Sequence, residues 1–171
     1  MVNNVLIPPE VSVYIGALVQ WGFLMAFLYS LTTSINNPSK QAVWLSLVMV
    51  VSYCLSTVID IYNISYIELF CYDVGTLFFI LFLRYFLPEK RISTYLLFGL
   101  SINSLLFLAM HIDVFVRGNY EPWWFWSFYT VVINIMDIIM VSIFFVKKDF
   151  LMLVHATDKW VNGVMRLKQS G

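Results

Sequence analysis

The sequence predicts an all-α integral membrane protein: a five-transmembrane-helix bundle with its N-terminus outside, its C-terminus cytoplasmic, and a C-terminal amphipathic interfacial helix. Three observations predict this fold class. Of the 171 residues, 61% are hydrophobic and 12% are charged, whereas soluble domains carry about a quarter charged residues. The apolar residues fall into five segments of membrane-spanning length. Nine of the ten basic residues lie on one side once these segments are drawn as spanning helices.

The five apolar segments define one transmembrane domain, residues 1–146. A spanning helix needs about 20 apolar residues, and the predicted spans cover residues 11–31, 41–59, 66–87, 92–112 and 123–146. Asp60 ends the second segment and Pro88 ends the third. Because the connections are short, consecutive helices are expected to be antiparallel neighbours.

The basic residues set the predicted orientation, because connections rich in Lys and Arg stay on the cytoplasmic side. They lie in or beside alternate connections and in the tail, at Lys40, Arg84, Lys90, Arg91, Lys147, Lys148, Lys159, Arg166 and Lys168. Only Arg117 lies on the other side. The C-terminus is therefore predicted to be cytoplasmic and the N-terminus outside. In a bacterium the membrane would be the inner (plasma) membrane.

Residues 147–171 are predicted to form a basic amphipathic cytoplasmic tail. Apolar residues recur there at helical spacing with basic residues between them, which is typical of a helix lying on a membrane surface. Such a helix either anchors the bundle to lipid or docks a cytoplasmic partner. The candidate contact residues are Lys147, Lys148, Lys159, Trp160, Arg166 and Lys168.

Two carboxyl groups are predicted to lie inside the membrane. Between Asp73 and Arg84 there are ten residues, which rise about 15 Å as a helix, half of the hydrocarbon core. Arg84 is long enough to reach the nearer surface, so Asp73 is placed inside the outer half. Asp137 is the only charged residue between Trp123 and Val146. Ionisable groups at such depth usually face the bundle interior or water.

Asp137 belongs to a polar stripe with Ser127, Thr130 and Asn134, at spacings that place all four on one helix face. Similar stripes occur on the second predicted helix (Ser46, Tyr53, Thr57, Asp60) and on the fourth (Ser101, Ser104, His111). They predict a polar interior that opens toward the outside. In one interpretation these groups only hydrogen-bond between helices. In the other, Asp73, Asp137 and Asn134 bind a cation or relay protons, with Arg84 as a charge partner.

An acidic cluster is predicted at the outer face, from Asp60, Glu68, His111 and Asp113. Carboxylates with one imidazole are able to hold a divalent metal, but acids at helix ends are commonly just solvated. No metal is assigned to them. A membrane-embedded enzyme with outward-facing carboxylates and His111 is a third functional hypothesis.

Aromatic residues and glycines are expected to serve the membrane environment. Trp123, Trp124 and Trp126 fall at the outer interface, where aromatic side chains anchor helices. Isolated glycines, which are expected to permit close helix contacts, occur at Gly16, Gly22, Gly75 and Gly99.

The remaining features narrow the function without naming it. The net charge is zero, so nucleic acid is not an expected partner, and no nucleotide, hydrolase or metalloprotease motif predicts a cofactor. Cys54 and Cys71 allow a disulfide but do not establish one. The first hypothesis is therefore a small non-enzymatic membrane protein that acts by self-association or as a subunit of a membrane complex. The second is a proton or cation channel or transporter.

Overall fold

A computed structural model describes residues 9–35, 40–60, 65–87, 90–121, 123–146, 149–157 and 159, of which 9–13 and 56–60 are described as backbone only. These described residues form helices and no β-strand. The helices are α1 (Pro9–Ser34), α2 (Gln41–Asp60), α3 (Tyr66–Phe86), α4 (Arg91–His111) and α5 (Trp124–Phe145), and a π-helical turn, Ile112–Val116, continues α4. Each helix agrees with its predicted segment to within one turn.

Four stretches of the described chain are long and apolar enough to cross a membrane. They are Tyr14–Ser34, Tyr66–Phe86, Arg91–Val116 and Trp124–Phe145. In α2 the side chains are described only as far as Leu55, and the apolar stretch over those residues is Gln41–Leu55. The all-helical fold with membrane-spanning segments is therefore confirmed, while the fifth crossing and the orientation stay predictions.

The exposed side chains of the bundle indicate that it is surrounded by an apolar medium. Large hydrophobic side chains face outward along several helices; Trp21 is 60% exposed, Phe78 65% and Phe82 62%. A soluble protein rarely exposes contiguous apolar surface on this scale, because it favours association. In a lipid bilayer, exposure of the same apolar side chains carries no free-energy penalty, because the surroundings are also apolar.

The core lies where α4 meets its neighbours. α4 packs closely on α3 and on α5, and α1 packs on α2 and α5. The side chains with no exposed surface include Phe23, Leu45, Met49, Ile80, Tyr95, Leu96, Leu100 and Met140. The contact between α2 and α3 is slighter than that between α3 and α4, so the bundle is less tightly closed on that side.

Two of the four glycines allow helices to approach closely, as predicted. A Cβ added at Gly99 would lie 2.5 Å from Met140 Cγ on α5, and one at Gly22 would lie 3.0 Å from Val141 Cγ1. At Gly16 and Gly75 the prediction is wrong, because an added Cβ would meet nothing within 4 Å. Both of these positions are exposed, so no neighbouring helix packs directly against either of them.

Hydrogen bonds attach the start of the tail to the N-terminal part of α4. The Tyr95 hydroxyl donates to Asp149 Oδ1 at 2.5 Å and accepts a hydrogen bond from the Leu151 amide at 2.8 Å. The same Asp149 carboxylate accepts from the amides of Leu153 and Val154, both at 3.1 Å. Residues 153–157 are helical. The rest of the predicted interfacial helix lies outside the described residues, apart from Lys159.

Asp149 makes this attachment sensitive to strong acid. Burial acts to raise the pKa of Asp149, but hydrogen bonds from Tyr95 and from the backbone amides of the following turn outweigh it and hold the pKa below its usual value. A carboxyl whose folded pKa is lowered stabilises fully above its unfolded pKa, and this contribution is lost as pH falls through the folded pKa. We expect the attachment to persist from neutral pH to about pH 4 and to be released only in stronger acid.

A nitroxide spin label at A156C, in protein without its native cysteines, measures this release as a sharper electron paramagnetic resonance spectrum. Y95F should give the mobile spectrum already at neutral pH, since it removes both hydrogen bonds of the hydroxyl. Y85F is the matched control, because Tyr85 is 87% exposed on α3. An equally mobile label in wild type and Y95F at neutral pH would contradict the attachment.

Candidate functional site: a buried carboxyl cluster

Asp137 is the centre of a hydrogen-bonded cluster that joins three helices. Its side chain on α5 is 7% exposed. Oδ1 accepts a hydrogen bond from the Tyr53 hydroxyl of α2 at 2.5 Å and another from Asn103 Nδ2 of α4 at 2.8 Å. Lipid offers polar groups no water to bond with, so such pairing between helices stabilises the bundle.

The positions of these residues within their helices explain why the cluster is deep. Asn103 and Asp137 each lie more than two turns from the nearer end of their helix. They sit on faces that close packing brings together, because Gly99, one turn before Asn103, contacts Met140, nearly one turn after Asp137. The close approach of α4 and α5 at Gly99 therefore sets the distance across which the amide reaches the carboxylate.

Asp73 of α3 lies beside this cluster, across a small cavity. The cavity has a volume of about 70 Å³ and is bounded by Asp73, Asp137 and Asn103 together with Ser52, Tyr53 and Tyr72 among others. A volume of this size is enough for a few water molecules or a small cation. None of the described residues that line it is Lys, Arg or His.

Two buried oxygen atoms at the cavity have no hydrogen-bond partner within the described part of the chain. They are Oδ2 of Asp73 and Oδ1 of Asn103. Buried polar atoms are nearly always paired, with protein or with water. Because both atoms are acceptors, the site is short of donors. A water molecule, a proton or a cation would each satisfy it.

The electrostatics of the cavity require a positive charge or a proton. Two carboxyl groups line it, and its described lining supplies no basic side chain to balance them. Two ionised carboxylates at close range in a medium of low polarity repel one another and lose their hydration. At least one of them is therefore expected to carry a proton or to share a bound cation.

Neither Asn134 nor Arg84 is among the described residues that line the cavity, and their part in ion or proton binding stays a prediction. Asn134 Nδ2 donates to the Thr130 carbonyl of its own helix at 2.7 Å, so Asp137 finds its partners on other helices. Arg84 shares a helix face with Asp73, but eleven residues separate them by about 16 Å. Within the described chain, Arg84 forms no ion pair with Asp73.

Asn103 is the site residue that the sequence reasoning missed. The polar stripe predicted on the fourth helix includes Ser101 and Ser104, but their hydroxyls donate to carbonyls of their own helix, those of Leu97 and Ser101. A signal was available, because Asn103 carries the only amide side chain in the span 92–112. Two hydrogen-bonding ends make an amide costlier to leave unpaired in lipid than a hydroxyl.

The predicted outer-face acids make separate contacts. Among the described side chains, no group of three His, Cys, Asp or Glu residues is close enough to hold a metal ion. Glu68 Oε2 accepts from the Ser65 amide at 3.0 Å, at the start of α3. His111 stacks on Phe115 with ring centroids 5.0 Å apart. The side chain of Asp60 lies outside the described residues.

Asp113 is buried rather than solvated, and it holds the connection between α4 and α5. It is 4% exposed and accepts from the indole N–H groups of Trp123 at 2.8 Å and Trp126 at 3.3 Å. The Asn119 amide group approaches the same carboxylate at 3.4 Å. Two of the tryptophans predicted to anchor in the interface therefore also stabilise the α4–α5 connection, while Trp124 is 66% exposed.

The other predicted contact residues lie apart from the cluster. Lys159 is exposed. The remaining tail candidates, Lys147, Lys148, Trp160, Arg166 and Lys168, lie outside the described residues. Cys54 and Cys71 are both free and both exposed.

The chain matches no family model, and no curated protein or solved structure is significantly similar to it. The chemical role of the buried carboxyl cluster is therefore interpreted from its own residues.

Proposed function

We propose that this chain is a membrane protein that binds protons or small monovalent cations at Asp73 and Asp137 and carries them through the bundle, as a channel or transporter. One observation carries the proposal: Asp73 and Asn103 line a cavity with two carboxyl groups, and each has a buried acceptor atom with no hydrogen-bond partner among the described residues. Intramembrane carboxyl groups commonly mark proton and ion pathways.

The two carboxyl groups have different parts in this proposal. Asp137 is held by Tyr53 and Asn103, so its position is set by the surrounding helices and it orients the site. Asp73 lines the cavity, and its Oδ2 has no hydrogen-bond partner among the described residues, so it is the group that accepts and releases the proton or cation. In the predicted orientation Asp73 lies in the outer half of the membrane, and loading would occur from the outside.

The proposal is tested by flux through vesicles that contain the purified protein. An imposed pH or sodium gradient should dissipate faster than in empty vesicles, as measured with an enclosed pH- or sodium-sensitive dye. D73N should reduce this protein-dependent flux to the background of empty vesicles, because the amide has no ionisable proton and no charge. E121Q, the same acid-to-amide change at an exposed position outside the bundle, should leave the flux unchanged.

Unchanged flux in D73N would contradict the assignment of Asp73. If the wild type gives no flux under either gradient, transport is overturned. Should such inactive protein co-purify with another membrane protein, action by association, the first hypothesis drawn from the sequence, would replace it.

A further inference from the structure

An apolar groove opens on the outside of the bundle where α2 and α3 are least closely packed. Its volume is about 540 Å³, within the range of about 300–1,000 Å³ typical of ligand pockets. Trp44, Val51 and Leu55 line it from α2, and Phe79 and Leu83 from α3. Gly75 also lines it, and an added Cβ there would meet nothing within 4 Å.

The inner wall of the groove is polar and adjoins the carboxyl cavity. Ser52 and Thr76 join α2 to α3 there through a hydroxyl–hydroxyl hydrogen bond of 2.8 Å. Ser52 and Tyr72 line both the groove and the cavity that contains Asp73. The side chains of Ser52 and Tyr72 therefore separate the groove from the cavity.

The charges and hydrogen-bonding groups favour one kind of occupant. Two residues that line the cavity, Asp73 and Asn103, each have an acceptor atom with no hydrogen-bond partner among the described residues, and the described lining includes no basic side chain. A head group that fits must donate hydrogen bonds and carry positive charge. The groove itself is lined mainly by apolar side chains on helices that are predicted to face lipid, so the remainder of the molecule must be apolar and able to arrive from the bilayer.

We propose that this groove binds a single-chain cationic amphiphile, a primary alkylamine, with its chain between α2 and α3 and its ammonium group directed past Ser52 and Tyr72 toward Asp73. This proposal rests on the proposed function only for the binding of the ammonium group, since the amine site and the ion site both use Asp73 as an ionisable acceptor. The proposal adds a class of substrate, alkylamines, that enters the bundle between α2 and α3 from the lipid bilayer.

The test measures binding of radiolabelled dodecylamine to the protein in lipid nanodiscs, with empty nanodiscs as background. Wild type should show one saturable site. G75L should lose it, because the new side chain fills the groove. G16L is the matched control, since Gly16 is also exposed with nothing within 4 Å of an added Cβ, but does not line the groove. D73N should weaken binding about tenfold, as expected for loss of a charge-assisted hydrogen bond.

Unlabelled dodecylamine should compete, whereas dodecanoate, which has an anionic head, should not. Equal competition by dodecanoate would overturn the amine assignment and indicate a site for acyl chains. Absence of a saturable site in wild type, or its persistence in G75L, would also overturn the proposal. Amine binding without ion flux would contradict only the proposed transport function. Ion flux without amine binding would contradict only the proposed amine site.

Discussion

Replacement of Asp137 by alanine is expected to lower the free energy of unfolding by about 2 kcal/mol. The truncation leaves the Tyr53 hydroxyl and the Asn103 amide N–H without their shared acceptor, and both donate to the same oxygen atom. The hydrocarbon around the bundle offers neither donor a hydrogen-bond acceptor. Because the three residues lie on α2, α4 and α5, the loss of these two hydrogen bonds weakens the packing of all three helices.

Titration with a denaturing detergent in mixed micelles, followed by circular dichroism, measures this loss. D137N should cost less, about 1 kcal/mol, because its amide oxygen still accepts hydrogen bonds. I138A is the matched control, since Ile138 is the next residue on α5 and is 47% exposed; it should change stability by less than about 0.5 kcal/mol. If D137A unfolds at the same detergent fraction as I138A, the cluster does not stabilise the bundle.

Gly99→Leu is expected to destabilise the bundle by about 2 kcal/mol. A Cβ alone would lie 2.5 Å from both Cγ and Sδ of Met140. Met140 has no exposed surface, so its side chain cannot avoid the new group without displacing its buried neighbours. The helices α4 and α5 must separate, and this also lengthens the hydrogen bond between Asn103 and Asp137.

The same detergent titration tests this prediction, with G16L as the control because the space around Gly16 is open. Met140→Ala in the same chain should relieve the clash, so that the double variant is more stable than the sum of the two single effects by more than about 0.5 kcal/mol. Additive effects would mean that Gly99 and Met140 do not meet as described.

The two carboxyl groups represent two ways in which a membrane bundle accommodates an acid. Asp137 is stabilised by hydrogen-bond donors from neighbouring helices. Oδ2 of Asp73, in contrast, has no hydrogen-bond donor among the described residues. An acid that accepts hydrogen bonds from two neighbouring helices contributes mainly to packing. An acid that lines a cavity and has an oxygen without a protein donor is able to exchange a proton or ion, so substitution of Asp73 should affect flux most directly.

Much of the fold was predictable because the information is local. Helix bounds follow from the length of each apolar segment and from the polar or proline residues that end it. The burial of Asp137 also follows, since no other charge lies near it along α5. The partner of Asp137 was not predictable in this way. Spacing along one helix placed Asn134 on the same face, but residues on one face of a helix point toward a neighbour more than toward each other.

By itself, the sequence determined that the chain forms apolar helices of membrane-spanning length and that Asp73 and Asp137 lie within them, because the cost of exposing charge to lipid depends on position along a single helix. Only the tertiary structure decided that Asn103 and Tyr53 bond to Asp137, and that Asp73 faces a cavity. The reason is that helix pairing depends on the shapes of whole surfaces, such as Gly99 against Met140, and these meet only after the helices have packed.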